Sequence, residues 1–335
     1  MHYKIPSSLV YINEERVGYI RKGVKGNFRY YHKNGKEVSN KNIVNRIDKL
    51  RIPPDWESVW ISKNSKGHIQ ATGRDSKNRK QYIYHAKWNE YVNSQKFDNL
   101  SEFGNKLLEI RKQLEKDLQI ESWNKKKVIA IAVKLMDEFH LRIGNKYYKE
   151  ENGTYGLTTL RRKHLAKEKK KLLLKYKAKN GKIRKITVDN PTLKNLLKEC
   201  SELPGHEIFR YKTEGKYAPI NSHDINSYLR EITSSEITAK DYRTWGGTVL
   251  AVKFLSKAEK ICAENPRKKL ETTLIQLVAK KLNNTVAVAR NYYIHPYVLK
   301  TILEKGITNY TTSEKNKKLK WYNREEIIVL NILKS

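Results

Sequence analysis

Residues 240–248 read KDYRTWGGT and bring a basic residue, large aromatic rings and two adjacent glycines into one short stretch. Arg243 is flanked by the aromatic residues and followed by Gly246 and Gly247. An arginine in this setting fits an ion pair with Asp241 or stacking on the neighbouring tyrosine ring. It also fits a ligand contact, because a guanidinium group can grip two oxygens at once. The remaining sequence is needed to choose between these roles and to predict the fold.

The charge of the chain predicts a polyanionic partner. Its 335 residues are enough for two domains, and they include 69 Lys and Arg against 35 Asp and Glu, a formal net charge of +34. Nucleic acid is the default partner for a field of that size. The competing class is a basic protein of the membrane surface, but the sequence has no strongly amphipathic basic helix with Trp, Phe and Leu anchors. We therefore expect a nucleic-acid-binding protein with no membrane partner.

Cysteine usage and the N-terminal residues predict a reducing compartment. Cys200 and Cys262 have no paired spacing, so neither a disulfide framework nor a zinc site is expected. The first residues, MHYKIPSSLVYINEERV, lack the apolar core of a signal peptide, and no stretch approaches the apolar length that crosses a membrane. We therefore expect a soluble, intracellular protein.

The pattern along the chain predicts an α+β protein with two domains. Short alternating runs from SLVYIN (8–13) to RKQYIYH (79–85) predict a small β-rich domain over residues 1–92. Residues 93–335 are predicted to form a larger, mostly helical domain. An Asn-Gly pair at 180–181 predicts a β-hairpin inside this second domain.

Three helices of the second domain have clear signals. Apolar residues at helical spacing predict a helix in NKKKVIAIAVKLMDEFHLRIGN (124–145), with Gly144 as its C-terminal stop. Pro191 predicts the start of another helix, because proline fits the first turn. The segment KWYNREEIIVLNILKS (320–335) is expected to form a terminal helix.

The chain lacks the motifs of nucleotide-driven and zinc-dependent enzymes. It has no G-x-x-x-x-G-K-[ST], no G-x-G-x-x-G and no H-E-x-x-H. No carboxylate cluster resembles a two-metal nuclease site. An enzyme acting on DNA and built from this chain is therefore expected to need neither ATP nor a metal.

Phosphoryl transfer without a metal sets its own requirements. Charge builds on the non-bridging oxygens, and guanidinium groups are the best substitute for a metal ion there. The leaving alkoxide needs a proton donor, and a tyrosine nucleophile, whose free pKa is about 10, needs activation. The groups to find are therefore two arginines, a lysine, a polar donor and a tyrosine.

Composition alone leaves the choice of those groups open. Arg142, in HLRIGNKYY, stands where a helix is expected to end, and such an arginine is more often solvated and interacting with the helix dipole. Lys179, beside the Asn-Gly turn, cannot be told from its lysine neighbours, which usually form a solvated face. In ARNYYIHP (289–296), Tyr292 and Tyr293 compete for the role of nucleophile.

Five blocks of the sequence resemble the type IB DNA topoisomerases of the compact branch found in poxviruses, related large viruses and bacteria. KDYRTWGG (240–247) is similar to the arginine signature of that family. The other blocks, in the order of the family, are GRDSKNRKQYIYH (73–85), LRIGNKYYKEENGTYGLTTLRRKH (141–164), YKAKNGK (176–182) and NNTVAVARNYYIHP (283–296). Because the blocks are ordered and spread over most of the chain, the resemblance is highly specific.

The resemblance implies a role for each catalytic position. Arg142 and Arg243 would clamp the scissile phosphate, and Lys179 would protonate the leaving 5′ oxygen. Asn284 matches the position of a His or Asn that contacts the phosphate, and Tyr293 matches the nucleophile. The chain departs from the family by having alanine at 178, where a glycine commonly precedes the lysine.

The resemblance also implies a set of DNA contacts. Five lie on the predicted strand 79–84. Side chains alternate between the two faces of a strand, so one face can meet base edges and the other can meet phosphates or stack. The alternative for the tyrosines is packing on the core, since tyrosine favours strands. The implied contacts are Arg79, Lys80, Gln81, Tyr82, Tyr84 and, in the second domain, Tyr148.

The function that the resemblance implies is relaxation of supercoiled duplex DNA without ATP or metal. A monomer would close around the duplex as a C-shaped clamp, cut one strand through a 3′-phosphotyrosyl bond, allow rotation and reseal the strand. It would act in a bacterial cytoplasm, or in the virion or cytoplasmic replication site of a large DNA virus. The alternatives are a tyrosine recombinase, which shares the chemistry and catalytic fold, and a non-catalytic DNA-packaging protein.

The spacing of the last two catalytic positions constrains the backbone. Asn284 and Tyr293 are nine residues apart, about two and a half helical turns, so they would face opposite sides of one continuous helix. We therefore predict that the backbone breaks between them or that the two residues approach from different elements. Pro296 predicts the start of a helix that ends near Gly306, which would leave Tyr293 on the connection before it.

Overall fold

The computed structural model describes residues 6–24, 26–168, 171–311 and 320–335, without the side chain of Tyr148. The chain forms two compact units, Met1–Lys96 and Phe97–Ser335. The division falls within helix α2, Ala86–Asp98, as does the domain boundary predicted after residue 92.

The first unit is built on a five-stranded antiparallel sheet with strand order β2-β1-β3-β4-β5. Tyr19, Val59, Ile61 and Ala71 are buried on this sheet together with Ile47 of a helix. The strands are β1 Tyr19–Val24, β2 Asn27–His32, β3 Glu57–Ile61, β4 Ile69–Arg74 and β5 Lys80–Tyr84, and the helix is α1 Lys41–Lys49.

Two details of this unit differ from the sequence prediction. The run 8–13 forms only an isolated bridge between Val10 and Gly67 and not a strand. Helix α1 was not predicted inside the β-rich domain, although Asn40 is a good N-cap and accepts from the backbone N–H of Asn42 at 2.9 Å.

The second unit is mainly helical, which agrees with the predicted α+β class. It holds one three-stranded antiparallel sheet, order β6-β7-β8, and a separate two-stranded pair, β9-β10. The strands are β6 Leu165–Glu168, β7 Lys171–Lys177, β8 Ile183–Val188, β9 Arg210–Thr213 and β10 Lys216–Pro219. The helices are α3 Leu100–Leu118, α4 Lys125–Phe139, α5 Lys146–Asn152, α6 Pro191–Glu202, α7 Ser222–Thr233, α8 Asp241–Glu264, α9 Leu270–Leu282, α10 Val286–Tyr293, α11 Pro296–Lys305 and α12 Arg324–Lys334.

Helix α8 is the centre of this unit, and the stretch 240–248 forms its beginning. Every residue from Tyr242 to Val252 is buried, polar and glycine residues included. Other elements therefore cover all sides of this part of the helix. Trp245 illustrates the fit: a side chain at Gly104 of α3 would overlap its ring. The element that carries Arg243 is therefore the rigid core of the unit.

The predicted β-hairpin is confirmed. Strands β7 and β8 pair in antiparallel register up to Lys177 and Ile183. Asn180 and Gly181 take left-handed conformations, with φ of 63° and 75°, which Asn and Gly adopt at the lowest cost.

Helix α4 ends earlier than predicted. Its last residue is Phe139, and His140 takes the left-handed cap conformation with φ of 51°, its backbone N–H bonded to the carbonyl of Met136 at 2.8 Å. The prediction that the helix stops at Gly144 was therefore wrong, because a histidine adopted the conformation that usually favours glycine. Arg142 consequently lies in a connection after the helix. None of the helices in the described residues is long and apolar enough to cross a membrane.

Candidate functional site

Arg243 is held inside the second unit by the ends of two other helices. Its side chain is buried, with 3% of the residue exposed. Its Nη1 donates to the carbonyl of His140 at 2.5 Å, and its Nη2 donates to the carbonyl of Leu282 at 3.0 Å. Both acceptors are at helix C-termini, where carbonyls lack intrahelical partners and the helix dipole favours a cation. The neighbouring Asp241 does not pair with Arg243; its Oδ2 accepts from the backbone N–H of Thr238 at 2.8 Å.

Arg142 and Asn284 meet side chain to side chain. Nη2 of Arg142 donates a hydrogen bond to Oδ1 of Asn284. The backbone of Arg142 is fixed as well, because its carbonyl accepts from the N–H of Leu157 at 2.8 Å. Gly144 and Gly156 allow the segment after Arg142 and the segment before Leu157 to cross, since a Cβ at Gly156 would lie 2.5 Å from the Gly144 nitrogen. The contact therefore rests on a closely packed crossing of backbones.

The predicted break between Asn284 and Tyr293 is present. Asn283 caps α9 in the left-handed conformation, with φ of 55°, and Asn284 follows in the connection before α10. The N–H of Asn284 bonds to the carbonyl of Ala279 at 2.9 Å. Tyr293 was predicted to lie on the connection before α11, but it is the last residue of the short helix α10.

Tyr293 packs directly on helix α8. The guanidinium carbon of Arg243 lies 4.9 Å from the centre of the Tyr293 ring. A Cβ at Gly247 would overlap the carbonyl oxygen of Tyr293, so only glycine permits this approach. Next to it, the N–H of His295 donates to Oγ1 of Thr248 at 3.0 Å. Gly247 and Thr248 of helix α8 therefore fix the position of the backbone around Tyr293.

The electrostatic surroundings of Tyr293 favour its ionised form. Burial alone would raise the pKa of its hydroxyl, but the positive charges of Arg243 and Arg142 and a hydrogen bond to Arg243 outweigh it and lower the pKa. Burial, with repulsion from Arg142, lowers the pKa of Arg243 to about 10, which leaves it charged at neutral pH. The pair therefore combines a buried cation with a phenol that ionises more readily than usual.

Tyr292 and Tyr293 occupy different environments. Tyr292 is 44% exposed, whereas Tyr293 is partly buried against the main hydrophobic core. The guanidinium group of Arg243 lies against the ring of Tyr293.

Lys179 lies at the exposed tip of the β7–β8 hairpin. The tip approaches the same group of residues, because Nζ of Lys182 lies 3.5 Å from the carbonyl oxygen of Asn284. The structure thus brings together the side chains of Arg142, Arg243, Asn284 and Tyr293. It puts the hairpin that carries Lys179 beside them, with Lys182 as the residue of the tip that approaches Asn284.

The sequence reasoning missed two residues of this region. Arg184, on β8, is buried and donates to the carbonyls of Phe139 at 2.7 Å and Leu282 at 3.1 Å. Strand alternation could have found it, because Arg184 shares its parity with the apolar Ile186 and Val188. The other residue is His140, whose ring packs on Gly246 where a Cβ would be.

Two buried nitrogens at the site have no hydrogen-bond partner among the described residues. They are Nε of Arg243 and Nδ2 of Asn284. Buried donors are normally satisfied, so both are suited to an incoming oxygen-rich ligand. Across the described part of the chain, no three His, Cys, Asp or Glu side chains are grouped so that they could hold a metal ion. The groups that face a ligand here are cationic and amide donors, which suit a phosphate.

Four of the five predicted DNA contacts of the first unit lie on the edge strand β5, and Arg79 directly precedes that strand. Tyr82 and Tyr84 are exposed and stacked, with ring centres 5.8 Å apart. They do not pack on the core, which was the alternative prediction for them. Lys80 points to the same face and pairs with Glu14. The side chain of Tyr148, the contact predicted in the second unit, lies outside the described part of the structure.

Asp75 accepts hydrogen bonds from the other two predicted DNA contacts of this region, Arg79 and Gln81. Its Oδ2 accepts from Nε of Arg79 at 2.8 Å and from Nε2 of Gln81 at 3.0 Å. Hydrogen bonds from Arg79 lower the pKa of Asp75 to about 2. Arg79 and Gln81 are therefore held by one carboxylate before any partner binds.

Comparison with known families matches two regions of the chain. Residues 85–322 match the family described as the catalytic core of eukaryotic DNA topoisomerase I. Residues 27–75 match the family described as the N-terminal domain of bacterial DNA topoisomerase IB. The first match covers most of the second unit, including Arg142, Lys179, Arg243, Asn284 and Tyr293.

Individual relatives carry the same description. DNA topoisomerase 1B of Acanthamoeba polyphaga mimivirus is 32% identical over 278 residues, which is 81% of this chain and 82% of the relative. DNA topoisomerase 1B of Vaccinia virus (strain Copenhagen) is 21% identical over 295 residues, 82% of this chain and 90% of the relative. A solved structure of the XerH site-specific recombinase bound to a palindromic difH substrate aligns at 16% identity and a TM-score of 0.33, covering 59% of this chain and 48% of that one.

Proposed function

The chain belongs to the type IB DNA topoisomerase family, and from that premise we propose which of its residues perform the reaction. Enzymes of this family are isomerases whose partner is DNA. They break one strand of a duplex through a 3′-phosphotyrosyl intermediate, let supercoils relax by rotation and rejoin the strand. The tyrosine recombinase and the packaging protein are not favoured by these relatives.

We assign the nucleophile to Tyr293. Its phenolate oxygen attacks the scissile phosphorus, the bond from phosphorus to the 5′ oxygen breaks, and the tyrosine stays attached to the 3′ phosphate. The observation that carries this assignment is the guanidinium of Arg243 against the Tyr293 ring at 4.9 Å, which lowers the pKa of the phenol. A phenol that ionises more readily is a better nucleophile near neutral pH.

Arg142, Arg243 and Asn284 are proposed to bind the non-bridging oxygens of the same phosphate. Support comes from the bond between Arg142 and Asn284, and from the buried nitrogens of Arg243 and Asn284 that have no partner among the described residues. Donors fixed before the reaction stabilise the charge that develops on these oxygens. Nη2 of Arg142 would exchange Asn284 for phosphate oxygen when DNA binds.

Lys179 is proposed as the general acid. Its ammonium group gives a proton to the departing 5′ oxygen and takes it back when that hydroxyl attacks during rejoining. An alkoxide is a poor leaving group, so a positioned proton donor contributes about 10²–10⁴-fold to such a step. Support comes from the position of the hairpin, whose Lys182 approaches the backbone of Asn284.

The exposed face of β5 is proposed as a DNA contact of the first unit. Tyr82 and Tyr84 would contact phosphates or stack, and Lys80 would exchange Glu14 for a phosphate. Arg79 and Gln81, which are hydrogen-bonded to Asp75 and alternate with Lys80 and Tyr82, would meet base edges or the DNA backbone. Tyr148 completes the set by its place in the family motif.

We further propose that the enzyme works as a monomer on supercoiled DNA and needs neither ATP nor a metal. A single chain supplies every catalytic group named above, and the phosphotyrosyl bond conserves the free energy of the phosphodiester. It would act in a bacterial cell or at the replication site of a large DNA virus.

Relaxation of supercoiled plasmid tests this function directly. The assay contains EDTA and no ATP, and it compares the wild-type protein with Tyr293→Phe and Tyr292→Phe. We expect relaxation by the wild type and by Tyr292→Phe, and none by Tyr293→Phe. A wild-type protein that binds the plasmid and leaves it supercoiled would contradict the proposed metal-free mechanism. Loss of relaxation with Tyr292→Phe alone would move the nucleophile to the other tyrosine.

A further inference from the structure

Arg184 is a buried cation that the proposed reaction does not use. It is 8% exposed and lies on β8, five residues after Lys179. Its Nη2 donates to the carbonyl of Phe139 at 2.7 Å, and its Nη1 donates to the carbonyl of Leu282 at 3.1 Å. Burying a guanidinium group is costly unless such acceptors surround it, so the side chain is strongly fixed where it lies.

The two acceptors of Arg184 are the last residues of helices α4 and α9. The chain that leaves α4 carries Arg142 three residues later, and the chain that leaves α9 carries Asn284 two residues later. Leu282 also accepts from Arg243. A single side chain of the hairpin is therefore tied to the segments that present the phosphate-directed groups.

The tip of the hairpin has little packing of its own. Residues 179–183 are all exposed. The buried residues that flank this tip are Ala178, at 3% exposure, on one side and Arg184 on the other. A short exposed tip takes its orientation from the residues that anchor its base. On the β7 side the carbonyl of Lys177 accepts from the N–H of Tyr155 at 2.8 Å, and on the β8 side the side chain of Arg184 makes two directional hydrogen bonds to helix ends.

We propose that Arg184 is a positioning residue that holds Lys179 against the leaving 5′ oxygen by tethering the hairpin to the ends of α4 and α9. The inference rests on the proposed role of Lys179 as general acid. Arg184 itself does not touch the DNA in this role. Its loss displaces the proton donor and leaves the nucleophile and the phosphate contacts in place.

Two other roles for Arg184 make different predictions. A purely structural role would lower the stability and slow every step alike. An electrostatic role, in which its charge acts on the phosphate, would slow cleavage whatever the leaving group is. Only the positioning role confines the defect to protonation of the leaving group.

The leaving group provides the readout. A duplex with sulfur in place of the bridging 5′ oxygen, at a site that the wild type cleaves, releases a thiolate. A thiol has a pKa of about 8.5, so a thiolate leaves without a general acid. Single-turnover cleavage of the oxygen and sulfur duplexes is measured for the wild type, Lys179→Ala, Arg184→Met and Arg184→Lys. Lys185→Met is the matched control, because Lys185 is the next residue on β8, is exposed and pairs with Glu168 at the surface.

We expect Arg184→Met to cleave the oxygen duplex about 10²-fold more slowly than the wild type, the order of loss that a small misplacement causes. On the sulfur duplex its rate should return close to that of the wild type, as should the rate of Lys179→Ala. Arg184→Lys keeps the charge but reaches fewer acceptors, so its defect on the oxygen duplex should be intermediate. Lys185→Met should match the wild type on both duplexes.

Sulfur rescue of Lys179→Ala without rescue of Arg184→Met or Arg184→Lys would overturn the inference and leave the proposed acid intact. Failure to rescue Lys179→Ala would overturn the proposed acid, and the inference with it. If Arg184→Met does not fold, as judged by its thermal unfolding, Arg184→Lys decides between the outcomes by the same comparison.

Discussion

At the scale of single residues, two adjacent tyrosines show how position selects chemistry. Tyr292 and Tyr293 have the same side chain, but Tyr293 is the one that the structure packs against Arg243, and the surrounding cations lower its pKa. The motif block in the sequence already favoured Tyr293. The physical reason became visible only when residues 50 positions apart were packed together.

Arg243→Gln should change both the rate and the pH dependence of cleavage. Loss of one preorganised donor costs about 10²–10³-fold in comparable sites. Because the charge of Arg243 lowers the pKa of Tyr293, its removal should raise that pKa and shift the pH profile of single-turnover cleavage upward. Arg290→Gln is the control: Arg290 lies three residues before Tyr293 but is exposed and paired with Glu271. An unshifted profile in Arg243→Gln would show that Arg243 does not govern ionisation of the tyrosine.

At the scale of secondary-structure elements, glycines decide where the catalytic groups meet. Gly246 receives the ring of His140, and Gly247 receives the backbone of Tyr293. Gly144 and Gly156 let the Arg142 segment cross its neighbour. The two adjacent glycines are visible in the sequence beside Arg243, but what they face belongs to other elements.

Gly247→Ala should impair cleavage although alanine is the better helix former. In an exposed helix this exchange stabilises by about 1 kcal/mol. Here the new methyl group meets the Tyr293 carbonyl, and overpacking costs about 1–3 kcal/mol. We expect lower stability in urea unfolding and a loss of cleavage larger than the loss of DNA binding. Ser256→Ala, at an exposed position of the same helix, should leave both unchanged. A more stable and fully active Gly247→Ala would contradict the close approach.

Prediction from sequence succeeded where local signals are strong. The β7–β8 hairpin, the break before Tyr293 and the helix that starts at Pro296 follow from turn residues, helical periodicity and proline chemistry. It was wrong at the end of α4, where His140 took a left-handed conformation that only its packing explains. Helix α1 was missed because the alternating runs around it dominated the pattern.

At the scale of the whole molecule, charge and histidines with lowered pKa values set the response to solution conditions. The net charge of +34 predicts strong attraction to DNA. Burial lowers the pKa of His140, His164 and His295 to about 4 each, so all three are neutral in the folded protein near neutral pH. Salt and acid should therefore act on different properties, the first on binding and the second on stability.

DNA affinity should fall steeply with salt. A protein that makes about 6–10 phosphate contacts loses roughly 10³–10⁵ in affinity between about 50 and 200 mM salt. Fluorescence anisotropy with the Tyr293→Phe protein measures this without cleavage. Lys80→Gln should lower the slope of log K against log salt by about 1 if Lys80 contacts a phosphate. An unchanged slope would remove Lys80 from the proposed contacts.

Stability should fall between about pH 6.5 and 4. The folded pKa of each of these three histidines lies below its unfolded value of about 6.5, so the unfolded state binds more protons in this range. The stabilisation is complete above about pH 6.5 and is lost as the pH falls toward 4. His295→Asn replaces the capping Nδ1 of α11 with an amide oxygen and removes one titrating ring, so the midpoint of thermal unfolding should depend less on pH. An unchanged dependence would exclude His295 as a contributor.

By itself, the sequence determined the α+β class, the polyanionic partner and the kinds of groups that could act on a phosphate, because these follow from composition, periodicity and ordered motifs. Only the tertiary structure decided which groups meet. Arg142, Arg184, Arg243 and Asn284 converge through the carbonyls at the ends of α4 and α9 and through glycines that let backbones approach closely. Such contacts join residues far apart in the chain, and no local pattern records them.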